Sequence, residues 1–139
     1  MKEFKLGEII VALLSKEAKV VRFIDESNGL TKVAIGRNKQ AKLPRDRILF
    51  ATGLVADDMD SVDRFRVEAV DIAVTLDLVP VWKLVEEDRS KLSLQEISEL
   101  YYEGPPTPVQ IAAVALHLDN DNKLFVYKTD GYFSRPPAE

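Results

Sequence analysis

His117, Asp119 and Asp121 fall within five consecutive residues, and imidazole and carboxylate are groups that hold metal ions. A calcium loop opening at Asp119 needs an oxygen ligand at its fifth position, glycine at its sixth and glutamate at its twelfth. Those positions carry Lys123, Leu124 and Asp130, so a cation stands where a ligand belongs and the glycine of the sharp turn is missing. Zinc fares no better, because His117 is the one histidine and there is no cysteine to complete a ligand set. The lack of cysteine also removes a thiol nucleophile and a disulfide framework. Two more carboxylate groups, Asp57-Asp58-Asp60 and Glu86-Glu87-Asp88, have the composition of a magnesium site but no glycine loop beside them. Each reads as charge at a helix end or on a solvated face. The stretch from His117 to Asp121 reads as the polar turn that takes a helix into a strand, so no metal or catalytic residue is expected.

Six cations, Lys32, Arg37, Lys39, Lys42, Arg45 and Arg47, crowd one short stretch and have the chemistry of a phosphate-contacting rim. The charge of the chain is divided in the same sense. Residues 1–52 hold 11 Lys and Arg against 6 Asp and Glu, a balance of +5, whereas residues 53–139 hold 8 against 17, a balance of -9. The first part is the one suited to a polyanion. Single-strand binders add an aromatic platform, but Phe4, Phe23 and Phe50 fit inward positions at least as well, so RNA binding is expected to be weak and salt-sensitive.

The elements that must position these groups follow from periodicity. The runs EIIVALL, KVVRFID, LTKVAIG, QAKLP and RILFAT read as five short strands. Asn28-Gly29 and Gly36 are placed to supply the positive φ of tight turns, and Pro44 suits a strand end. Five such strands predict a small SH3-like or OB-like β-barrel over 1–53. Gly53 then reads as a breaker, and Val62, Phe65, Ala69, Ile72 and Leu76 recur at helical spacing in a linking helix over 54–79. A helix opening at Pro80 buries Val81, Trp82 and Val85. Ser93 with Glu96, and Thr107 with Gln110, form capping boxes for two further helices, the first ended by Gly104. The second, VQIAAVALHL, is apolar on two sides and must be largely buried. KLFVYKT, Asp130-Gly131 and YFSR form a terminal hairpin stopped by Pro136 and Pro137. Residues 80–139 therefore read as a winged helix-turn-helix domain, and the whole chain as an α+β protein.

A helix-turn-helix invites a DNA reading, and charge argues against it. Residues 92–122 contain no Lys or Arg, while Glu96, Glu99, Glu103, Asp119 and Asp121 are acidic. A DNA-binding regulator would need a basic groove-facing helix, so a protein-contact role fits this domain better. No apolar run has the length of a membrane span and no signal-peptide pattern opens the chain, which leads to the expectation of a cytoplasmic protein.

Four features taken together resemble the N-terminal, non-catalytic region of bacterial and chloroplast exoribonucleases of the ribonuclease II (RNB) family. They are Trp82-Lys83-Leu84-Val85, the helix from Leu94 to Tyr102, the Thr107–Gln110 helix start and the hairpin from Leu124 to Pro137. The match covers 80–137 and is weak over 1–52. Ser134-Arg135-Pro136-Pro137 follows the family pattern only approximately. The resemblance implies an accessory region that helps guide single-stranded RNA and packs on an RNB catalytic domain in cis. It places 3′–5′ hydrolysis and its Mg2+ in a catalytic domain that this chain does not contain, so neither catalytic residues nor a cofactor are expected here. A protein-interaction module without RNA affinity is the alternative.

Overall fold

The computed structural model describes residues 4–14, 17–36, 38–86, 91–120, 124–128 and 131–134. The protein is α+β, with a five-stranded antiparallel sheet, four helices and a separate two-stranded hairpin. The strands are β1 (Glu8–Leu14), β2 (Glu17–Ser27), β3 (Leu30–Gly36), β4 (Lys39–Pro44) and β5 (Ile48–Val55), in spatial order β4-β3-β2-β1-β5. Asn28 and Gly29, at φ 53° and 78°, make the tight β2–β3 turn, as expected of an Asn-Gly pair. Gly36 differs from expectation. It closes β3 without a left-handed φ, and the β3–β4 register shifts between Ala34 and Gly36.

A 3-10 turn, Arg45–Arg47, carries the chain from β4 to pair with β1 on the far side of the sheet. The sheet is open, with β4 and β5 as edges that do not pair among the described residues. Strand alternation gives it two apolar faces. Ile10, Ala12, Val21, Phe23, Val33 and Leu43 form one core, with Phe4, Ile48 and Ala51 packed against it. Ile9, Val11, Ala18 and Val20 face the other way and join the helices.

Gly53 does not break the chain. It sits inside β5 at φ 78°, and the strand runs on to Val55. The reason lies in buried Glu8, whose carboxylate accepts the Gly53 N–H at 3.0 Å and the Lys5 N–H at 2.9 Å, clamping an irregular β1–β5 register. Thr52 helps by donating its hydroxyl to the Ile9 carbonyl at 2.6 Å.

The helices are α1 (Met59–Ala73), α2 (Val79–Val85), α3 (Leu94–Tyr102) and α4 (Pro108–Asn120). Asp58 caps α1 by accepting the Ser61 N–H at 2.9 Å, a bond that holds its carboxyl below the usual carboxylate range. Ser93 and Glu96 complete a reciprocal capping box, as do Thr107 and Gln110. Gly104 is not the residue that ends α3, since Glu103 takes the left-handed position at φ 56°. Ile111 to Ala115 are all buried, so α4 forms the centre of a core that extends without a break from β1 and β2 through the helices to Phe125 and Tyr132. The hairpin is β6 (Phe125–Lys128) with β7 (Gly131–Ser134), and Leu92 bridges Tyr132 with two 2.8 Å backbone hydrogen bonds. Asp130, Pro136 and Pro137 lie outside the described residues. No helix among the described residues is long and apolar enough to cross a membrane.

Candidate nucleic-acid interface

The five described cations occupy three places. Lys32 and Lys42 stand directly opposite each other on β3 and β4, with Asp25 opposite Lys32 on β2. Like charges so placed repel, and the carboxylate in the same row offsets part of that cost. Lys39 opens β4, about 17 Å of extended chain away from its other end at Pro44. Arg45 and Arg47 lie beyond that other end, in the 3-10 turn. Arg37 lies outside the described residues. The described cations thus lie along β3, β4 and the 3-10 turn that follows.

Arg45 is partly committed within the fold. One terminal nitrogen donates to both carboxylate oxygens of Glu26, at 2.8 and 3.2 Å, and the guanidinium lies 4.7 Å from the Phe4 ring centroid. Its Nη2 is buried and has no hydrogen-bond partner among the described residues. Phe4 in turn packs on Phe23, with ring centroids 5.3 Å apart. These two phenylalanines therefore face inward, while Phe50 is partly buried against the helical core.

The 3-10 turn and the hairpin line the same hollows, and that juxtaposition is not legible strand by strand. Tyr127 and Tyr132 pair across β6 and β7 and pack edge-to-face with centroids 5.1 Å apart. They form a wall between two hollows. One, of about 430 Å³, is bounded by Arg45, Asp46, Leu49, Ser93 and Gly131. The other, of about 460 Å³, is bounded by Arg47, Leu13, Leu118, Asp119 and Phe125. The alternation in KLFVYKT places Phe125 and Tyr127 on one face of the strand, and that was the available signal. Nothing local could say that this face meets Arg45 and Arg47.

Chemically, the groove offers one exposed guanidinium, one half-covered guanidinium and an aromatic wall. It also holds two carboxylates, Asp46 and Asp119. Burial pushes the Asp119 carboxyl up, a hydrogen bond from the Ala18 backbone opposes this, and nearby Glu17 adds to the rise. Burial likewise raises the Tyr132 phenol, with Tyr127 and Asp119 contributing, so that phenol stays neutral.

A stability prediction follows from Asp119. Its native carboxyl holds a proton at higher pH than the unfolded one, so stability falls as pH rises through the window above the ordinary value of 3.8. Asp119→Asn keeps an acceptor for the Ala18 N–H and removes the partly buried charge. It should unfold at higher urea than the parent at pH 7, with the difference vanishing below the carboxylate range. A pH-independent difference would contradict the burial argument.

His117 takes no part in the groove. Its Nδ1–H donates to the Ala73 carbonyl at 3.1 Å and ties α4 to the end of α1. Among the described residues no three His, Asp or Glu side chains converge to hold a metal ion. Asp121, Lys123, Glu87 and Asp88 lie outside the described residues. Comparison with family profiles, with curated protein sequences and with solved structures gave no match for this chain.

Proposed function

We propose that this chain is the non-catalytic front region of an RNB-type exoribonuclease, and that it steadies single-stranded RNA in the groove between the 3-10 turn and the terminal hairpin. The observation that carries this reading is the placement of Arg45 and Arg47 on either side of the Tyr127–Tyr132 wall. Single-strand grooves combine cations that follow the backbone with aromatic rings that accept any base.

Two features of the fold support the finer architecture. A four-strand meander whose fifth strand returns through a 3-10 turn to pair with β1 is the order of an SH3-like barrel with an open seam. The succession α2, the Leu92 bridge to β7, α3, α4 and hairpin is the order of a winged helix. The α4 helix would be its recognition helix, yet Ile111 to Ala115 are buried and none of the helix's described side chains is fully exposed. That counts against insertion into a DNA groove.

With two guanidinium contacts, log K against log salt should have a slope of about -1.4, using about -0.7 per phosphate contact on a single strand. Tyr127→Ala should weaken binding to a fluorescent single-stranded oligoribonucleotide of about ten nucleotides by about tenfold, the loss expected from one stacked base. Arg47→Glu should abolish it. Anisotropy titrations at low and moderate salt provide the test. No binding at low salt, or affinity unchanged in Tyr127→Ala, would overturn the RNA reading. The alternative is a module that contacts only protein, and it is favoured by Asp46 and Asp119, which balance the two arginines. It predicts no RNA affinity but retention by a separately purified RNB catalytic domain.

A further inference from the structure

The outward face of α1 and its C-cap residue carry three exposed valines, Val67, Val70 and Val74, the first and last 59% and 77% exposed. Their spacing of three and seven residues puts them on one stripe about 10 Å long. Valine is a poorer helix former than the Lys, Glu, Gln or Ala that an ordinary solvated face would carry, so neither propensity nor the core accounts for the stripe. The surroundings are acidic. A hollow of about 530 Å³ beside Val70 and Val74 is bounded by Glu17 and Asp119 and has no Lys or Arg in its lining. A shallow one of about 370 Å³ beside Val67 is bounded by Asp63, Glu68 and Asp71 with Arg64 as its single cation. Five carboxylates and one guanidinium thus line these two hollows, with Asp63 paired to Arg66; Asp119 and Ala18 also border the Arg47–Tyr127 hollow.

We infer that this face docks a cationic amphipathic helix of a protein partner. Apolar residues spaced one turn apart on that helix would cover Val67, Val70 and Val74, while flanking Lys or Arg would meet Glu68, Asp71, Glu17 and Asp119. Charge selects the occupant: a polyanion or an acidic helix is repelled here, and a neutral apolar surface leaves the carboxylates desolvated without partners. The inference stands whether or not the groove binds RNA.

The probe is a stapled, fluorescein-labelled peptide of about three turns, with leucines one turn apart and lysines beside them. Controls are a peptide of the same composition with the helical spacing scrambled and one with glutamate in place of lysine. The intact chain should bind the first peptide, more weakly as salt rises, and should bind neither control. Val67→Ser with Val74→Ser should weaken binding about tenfold or more, the order expected from losing the buried area of a valine. Both sites are exposed, so the double variant should keep the parent's circular dichroism. Glu68→Lys with Asp71→Lys provides a second variant that should also lose the peptide. Tyr127→Ala should bind it unchanged. Equal binding of the scrambled peptide would reduce the surface to unspecific charge and overturn the inference. Sedimentation showing a dimer that Val74→Ser dissociates would also overturn it, because the occupant would then be a second copy of this chain.

Discussion

Gly7→Ala is expected to destabilise the protein by about 3 kcal/mol, most of it from a steric contact that the backbone cannot relieve. Gly7 sits at φ 85°, where an L side chain costs about 1–2 kcal/mol. An added Cβ would also lie 2.7 Å from the Ala56 carbonyl oxygen. That oxygen cannot move freely, since it accepts the Arg22 Nε–H at 2.9 Å. Gly7 itself donates to the Phe23 carbonyl at 2.9 Å and accepts the Ala56 N–H at 2.8 Å. The residue therefore joins β2, the start of β1 and the passage from β5 to α1. Gly53→Ala is the matched control, because Gly53 has a similar φ of 78° and nothing within 4 Å of an added Cβ. Urea unfolding should give Gly53→Ala only the backbone cost. Equal losses for the two variants would show that the contact with Ala56 yields.

Phe125→Ala should cost still more, about 3–5 kcal/mol, against a total stability on the order of 7–20 kcal/mol for a chain of this length. Phe125 is 2% exposed and belongs to the same core as α4, β1 and β2, so the cavity left behind opens in that core, next to the hollow that Phe125 borders. It also anchors the strand that carries Tyr127. The expected result is a cooperative loss of stability together, under the proposed function, with weaker binding of the oligoribonucleotide, while Phe125→Leu retains most of both. The measurements are urea unfolding and the anisotropy titration. A loss below about 1 kcal/mol would mean that the hairpin opens apart from the core.

Much of the fold is legible in the residues because local physics governs it. Strand alternation, the Asn28-Gly29 turn and the helical periods of Val62 to Ile72 each depend on neighbours a few positions away, whereas the helix expected to reach Val79 ends at Ala73. The two capping boxes are legible for the same reason, since the Ser93 hydroxyl and the Glu96 amide are three residues apart. The misreadings have non-local causes. Gly53 looks like a breaker in sequence, yet a carboxylate 45 residues earlier holds its N–H and the strand continues through it. Gly104 looks like the stop of α3, yet the chain turns one residue sooner at Glu103.

The candidate site divides along the same line. Composition and spacing set the expectation against a metal loop at Asp119, because ligand identity is a property of residue type. They were also enough to identify cations suited to phosphate, because charge does not depend on the fold. Which cations stand together depends on the fold alone. The length of β4 separates Lys39 from Arg47, Glu26 and Phe4 occupy much of Arg45, and the hollows that the hairpin shares with the 3-10 turn put Tyr127 on the same side as the two arginines. Residue types fix which interactions a chain can make, and the burial of Phe125, Tyr132 and α4 in one core decides which of them can meet.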